Sequence, residues 1–205
     1  EDHPEIKIVK DDGSKEPLDV GRLKTVIAEA CDGLSDVDEA LVLQETLKNL
    51  YDGVTQQDVN AALIMSARTM VEKEPNYSYV TARLLLDDIR AKALTCLGVA
   101  EKATQFEMET FYPKALKEFL RLAVNSDLVS EELLEYDLDQ MATALKADRD
   151  NRFTYLGLQT LYDRYFIHKD EVRIELEYQF GHSLFSQKTY KQQLKAGGKV
   201  EKEHA

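Results

Sequence analysis

The stretch from Ile6 to Ile27 constrains the fold most. Ile6 and Ile8 alternate with Lys7, and Lys10 follows, which is the period-two pattern of a half-buried strand. Asp12-Gly13 offers the positive φ that a two-residue hairpin turn needs, so residues 6–19 are expected to form a hairpin. Asp19 is placed to cap a helix. Leu23, Val26, Ile27, Ala30, Cys31 and Leu34 then recur at i, i+3, i+4 spacing, predicting a helix over 22–34 with one apolar face. A small hairpin packed on that helix, with Lys10, Lys15, Arg22 and Lys24 near the junction, has the shape and charge to hold a phosphate.

Helical patterns follow in quick succession. A second helix is expected from Asp38 to Leu50, with Ala40, Leu41, Leu43, Leu47 and Leu50 on its apolar side, and Tyr51-Asp52-Gly53-Val54 breaks the chain. Thr55 with Asp58 three residues later reads as a helix N-terminus. Val59, Ala62, Leu63, Ser66, Ala67, Met70 and Val71 continue that helix until Glu74-Pro75-Asn76 ends it. A fourth helix spans Tyr79 to Leu97, and Gly98 is positioned to stop it.

The second half is helical again. Phe106 to Val124 is amphipathic through Phe111, Leu116, Phe119, Leu120 and Ala123. Residues 129–145 hold two shorter apolar patterns broken near Tyr136-Asp137, and residues 167–174 read as a short hairpin about Lys169-Asp170. Phe111, Phe119, Phe153, Tyr155 and Leu158 are candidates for an exposed apolar patch. After about Leu176 the chain turns polar and lysine-rich and carries Gly197-Gly198, the composition of a disordered tail.

With 205 residues the chain can bury one large or two small cores. A net charge of −12 repels phosphate backbones, so nucleic acid is not an expected partner, and a small anionic ligand needs a local cluster of cations. Cys31 and Cys96 sit in apolar helical patterns and read as reduced, buried thiols. No apolar run approaches the ~18 residues of a membrane span. His3, His168, His182 and His204 are scattered without ligand spacing, so no metal is expected, and there is no Walker loop or GxGxxG. Asp148, Asp150 and Asp163 read as loop and cap residues bonded to Arg149, Arg152 or Arg164.

Three separated segments resemble the ATP-cone, the nucleotide-sensing module at the front of ribonucleotide reductase large subunits. They are Ile8-Val9-Lys10-Asp11-Asp12-Gly13 followed by Glu16, Leu18, Arg22 and Leu23; Tyr51-Asp52-Gly53-Val54; and Tyr77-Ser78-Tyr79-Val80-Thr81-Ala82-Arg83-Leu84. Beyond them, the run from Asp148 to Phe166, DRDNRFTYLGLQTLYDRYF, resembles the signature that opens the catalytic barrel of class I large subunits. The implied fold is mainly α with a small β-hairpin or sheet. Residues 1–98 would be the cone, a hairpin plus a four-helix unit. Residues 99–176 would be the helical N-terminal segment of the barrel domain, and 177–205 a divergent, disordered tail.

The resemblance implies ATP or dATP as allosteric effector, a cytoplasmic protein, and as partners the radical-generating small subunit and other large subunits. The implied nucleotide contacts are Val9, Lys10, Asp11, Glu16, Leu18, Arg22, Gln56 and Asn60, with Glu16 accepting from the adenine amino group. Several positions depart from the family pattern. Asp11 replaces an arginine, Gln56 and Asn60 replace a threonine and a histidine, and Ala91 replaces a lysine, although Arg90 and Lys92 flank it. Asp for Arg changes the local charge by two units, and each lost charge-assisted bond costs about 1.5–3 kcal/mol. The cone is therefore expected to bind nucleotide weakly, as a degenerate inner cone of a tandem pair would, and the non-methionine start at Glu1 is read the same way.

In the family the radical-bearing and reducing cysteines lie in the barrel, beyond residue 176, and neither Cys31 nor Cys96 matches them. No catalytic residue is expected, and this chain alone should be inactive. The tail suggests a reading frame interrupted before the barrel. The alternative is a non-catalytic subunit-interaction module that binds no nucleotide. A stand-alone ATP-cone regulator of transcription is disfavoured by the acidic charge and the missing zinc ribbon.

Overall fold

The structure, a computed structural model, describes residues 6–10, 12–169 and 172–174. It is mostly helical with a small sheet. Strand β1 (Lys7–Val9) pairs antiparallel with β2 (Lys15–Pro17). The hairpin loop is wider than the two residues expected: Val9 faces Lys15, and the Lys10 N–H donates to the Ser14 carbonyl at 2.9 Å. Gly13, at φ +80°, donates its N–H to the Lys10 carbonyl at 2.8 Å, and the Asp12 carboxylate accepts from the Ser14 N–H and hydroxyl. The glycine therefore serves a longer loop that also uses the Asp12 side chain as a brace.

Helix α1 (Val20–Cys31) starts at Asp19, whose side chain accepts from the Arg22 N–H. Its expected face is the buried one: Leu23, Val26, Ile27, Ala30 and Cys31. Helix α2 (Glu39–Lys48) departs from expectation. Val42 and Thr46 are its buried residues, whereas Leu41 is exposed. Thr46 is tolerated inside because its hydroxyl donates to the Val42 carbonyl at 2.8 Å, one turn earlier on the buried face, whereas Leu41 lies off that face.

Val54–Thr55 forms β3, a strand not foreseen in the sequence, parallel to β1 with Ile8 beside Val54. Two residues are too few to show a period. Thr55 then caps α3 (Gln56–Thr69) in a full capping box with Asp58. Helix α4 (Tyr77–Cys96) ends as expected at Gly98, φ +65°. There the Val99 N–H reaches the Leu94 carbonyl and the Gly98 N–H the Thr95 carbonyl, the paired bonds of a Schellman stop.

In the second half, α5 (Met108–Asn125) buries Tyr112, Leu116, Phe119 and Leu120. A 3-10 turn (Glu131–Glu135) and α6 (Leu138–Thr143) form the two short patterns, separated by the Asp137 cap. A second 3-10 turn (Ala147–Arg152) leads to α7 (Tyr155–Arg164), and β4 (His168–Lys169) pairs with β5 (Val172–Arg173). The tail expected from 177 lies outside the described residues. The expected apolar patch does not form as such: Phe119 and Leu158 are fully buried, and Phe106, Leu156 and Tyr165 are the strongly exposed residues.

Helix α4 is buried on several sides because three apolar clusters meet it. Val80 and Leu84 face α1, α2 and α3; Ala82, Leu85, Leu86 and Ile89 face Leu158 and Phe166; Ala93, Leu94 and Leu97 face α5. Between these clusters lies a buried polar knot. Asp150 is completely buried and accepts from the Tyr112 hydroxyl at 2.6 Å and from Arg90 at 3.2 Å. Arg90 also donates to Gln105, whose own amide donates to the Ala147 carbonyl at 2.7 Å and whose backbone N–H reaches Glu29 at 3.0 Å. Asp150 thus pairs with an arginine sixty residues away rather than with the neighbouring Arg149, Arg152 or Arg164. No local pattern signals a pairing at that separation.

Removing one partner of a buried pair strands the other charge. Asp150→Ala is expected to lower stability by about 3–5 kcal/mol in urea unfolding, and Tyr112→Phe by about 1–3 kcal/mol. The thiols separate as well. Cys31 is buried, and burial pushes its pKa up to about 11, whereas Cys96 is exposed, contrary to expectation. In the native protein at pH 8, iodoacetamide should alkylate Cys96 while sparing Cys31 until the chain is unfolded, as peptide mass spectrometry would read out.

Candidate functional site

A small cleft of about 80 Å³, open to solvent, lies where α1, α3 and α4 converge. Helical spacing puts its residues there. Arg22 and Val26 are one turn apart on α1, Gln56, Asn60 and Leu63 follow one face of α3, and Asp87 and Ala91 are one turn apart on α4. Leu18, Leu23, Val26, Val59 and Leu63 make the apolar part of the wall. Its charged residues are two cations, Arg22 and Lys102, and two carboxylates, Asp19 and Asp87. The cleft's volume is well below the roughly 300–1,000 Å³ of pockets that enclose a whole small ligand.

Of the residues singled out in the sequence, Leu18, Arg22, Gln56 and Asn60 line this cleft, together with Ala91. Val9, Lys10 and Glu16 lie on the hairpin and are not among the lining residues. Asp11 lies outside the described residues. Arg90 does not supply charge beside Ala91 as its position suggested. Its side chain is 4% exposed and turned to Asp150.

Arg22 is already engaged, as are Lys92 and Lys10 outside the cleft's lining. Arg22 Nη2 meets Asp87 Oδ1 at 2.6 Å, both side chains about three-quarters covered (23% and 22% exposed). Burial pushes the Asp87 carboxyl above its ordinary value, and the charges of Arg22 and Arg90 pull the other way. Lys92 pairs with Asp88 at 2.7 Å, and the other Asp88 oxygen accepts from the Asn60 amide at 2.8 Å. The Asn60 oxygen in turn accepts from Gln56 at 2.9 Å. On the hairpin, Lys10 and Glu16 pair at 2.5 Å, and the Glu16 hydrogen bond and charge raise the Lys10 pKa.

Asp87, Asp88 and Lys102 escaped the sequence reading. The first two look like solvated helix charges until the fold turns them toward Arg22 and Asn60. Lys102 belongs to the segment after α4, whose path no periodicity encodes. Chemically, the wall offers an apolar surface, amide groups and balanced charge. An incoming phosphate must compete with Asp87 for Arg22.

On the inner side, Asp87 and Val26 also border a narrow polar crevice with Glu29, Arg83, Arg90, Gln105 and Asn151. Arg83 spans it, donating to the Ala30 and Asp32 carbonyls at the end of α1 and to the Asn151 carbonyl. Among the described residues no group of histidine, cysteine, aspartate and glutamate is arranged to hold a metal, and no helix is long and apolar enough to cross a membrane.

Comparison with known proteins agrees with this architecture. Residues 6–92 match the ATP cone domain family. The chain is 34% identical over 171 residues to the ribonucleoside-diphosphate reductase subunit alpha of Chlamydia trachomatis, an alignment covering 83% of this chain and 16% of that protein. It is 29% identical over 163 residues to the corresponding subunit of Helicobacter pylori, covering 79% and 19%. It is 27% identical over 163 residues to the ribonucleoside-diphosphate reductase 1 subunit alpha of Escherichia coli, covering 79% and 20%. The chain thus spans a fifth or less of the length of these relatives. It carries an ATP-cone domain and is homologous, over most of its length, to the N-terminal region of ribonucleoside-diphosphate reductase alpha subunits.

Proposed function

We propose that this chain serves as the N-terminal regulatory region of the large subunit of a class I ribonucleoside-diphosphate reductase, and that its cone binds ATP and dATP weakly. In this reading residues 1–98 act as the cone and residues 99–176 as the helical lead into a catalytic barrel. The small subunit and other large subunits are the partners, and nucleotide in the cone biases their assembly. A ligand shifts such an equilibrium only by its differential affinity for the two assemblies.

The observation that carries the weak-site reading is the pairing of Arg22 in the cleft and of Lys92 and Lys10 outside its lining. Arg22 is held by Asp87, Lys92 by Asp88 and Lys10 by Glu16. The base end has its own support. Asn60 and Gln56 are fixed by a hydrogen-bonded chain that ends on Asp88, beside the apolar surface of Leu18 and Val59. The same pairing gives weight to the second reading, a subunit-interaction module whose cone is filled by its own ion pairs.

Calorimetric titration of the whole chain separates the two. Saturable binding of ATP and dATP is expected, with Kd on the order of 0.1–1 mM. Lys10→Ala and Arg22→Ala should each weaken it several-fold, and Glu16→Ala should reduce the preference for adenine over guanine. Absence of heat and of any thermal shift at millimolar nucleotide would leave the interaction module as the function.

A further inference from the structure

Among the cleft's charged groups, Asp87 has the least ordinary position. Its carboxylate is covered to about three-quarters, it accepts from Arg22 Nη2 through one oxygen, and it forms part of the wall of two cavities at once. A carboxylate on a guanidinium occupies the same donor atoms that a phosphate oxygen would take. We propose that Asp87 is an internal competitor for Arg22, which a phosphate-bearing ligand must displace to enter the cleft and which thereby sets the affinity of the site. This rests on the reading of the cleft as a nucleotide site and deepens it.

Displacement is feasible because of what lies on the other side of Asp87. A half-buried carboxylate that simply lost its partner would be stranded at a cost that prevents exchange. Arg90 lies three residues further along α4, borders the same inner crevice, and already favours the Asp87 anion by its charge. Asp87 therefore keeps a cationic neighbour when Arg22 turns to a ligand. Glu29, on the opposing α1, borders the same crevice and opposes the Asp87 anion. It is itself tied to the Gln105 N–H, which keeps its carboxylate fixed while Asp87 moves. The competitor is thus held firmly enough to exclude weak anions and loosely enough to be replaced by a polyphosphate.

Asp87 acts through Arg22, so it is a positioning residue, and its test must isolate the phosphate end. The probes are ATP, inorganic tripolyphosphate and adenosine, titrated calorimetrically against the whole chain. Asp87→Asn, which keeps shape but not charge, is expected to tighten ATP and tripolyphosphate at least tenfold and to leave adenosine unchanged. Asp87→Glu should retain the wild-type weakness. Arg22→Ala should abolish the gain when combined with Asp87→Asn, a non-additivity that a purely structural role would not produce.

If Asp87→Asn melts below the working temperature, Asp87→Ser carries the same expectation. ATP affinity within twofold of wild type in the folded neutral variant overturns the inference while leaving the nucleotide site intact. An equal gain for adenosine also overturns it. A wild type that binds nothing beside a neutral variant that binds ATP supports the inference, and it removes the weak-site reading of the native chain. No binding by either overturns both.

Discussion

One buried carboxylate sets the register in which α5 and the turn before α7 pack on α4. Asp150 lies on a 3-10 turn with no exposed surface and accepts from Arg90 of α4 and Tyr112 of α5. The apolar clusters on either side provide most of the attraction, but leucine and alanine surfaces tolerate sliding by a fraction of a turn. A buried ion pair backed by a tyrosine and a glutamine is satisfied in one register only. The arrangement makes α4 a shared wall. Its Leu84 side closes the cone's core, and its Arg90 and Leu94 anchor Asp150 and the apolar face of α5.

That shared wall gives the cleft its character. Position 87 faces Arg22 and the cleft, position 90 faces the knot, and position 88 reaches Asn60 and Lys92. Three carboxylates, Asp87, Asp88 and Asp150, thus each find a cation from or beside α4. In water such pairs are worth little, but the partly covered Arg22–Asp87 pair sits where the dielectric is lower and exchange with a ligand is consequential. The cleft and the knot are separated by a single helical turn, so a change of charge at Asp87 is felt at Arg90.

Much of the cone was legible in the sequence because its elements announce themselves locally. Asp19, the Thr55–Asp58 box and Gly98 are capping chemistry within a few residues, and the α1 stripe from Leu23 to Cys31 repeats at helical spacing. What stayed hidden has a common cause. Strand β3 is two residues long, the inward turn of Thr46 depends on a bond to its own helix, and Arg90 finds Asp150 only after the chain has folded back. The candidate site divides the same way. Leu18, Arg22, Gln56 and Asn60 could be placed from the family pattern, whereas the carboxylates that occupy their neighbours could not.

The division has a consequence for how such a module changes. The residues that build the cone are apolar or are caps, and Ile8, Leu23, Val26, Val54, Val59 and Leu84 are all buried in one core, of which Leu23, Val26 and Val59 also back the cleft. The residues that would grip a nucleotide sit at the rim, partly exposed, where a substitution costs less stability than in the core. Asp87 has Arg22 opposite it and the charge of Arg90 on its other side, so the fold carries this acid as one of a pair. Fold and affinity are therefore under separate physical control here. The hairpin and its helix remain diagnostic of the family because the core requires them, while the strength of the site is set by which rim carboxylates have taken up its cations.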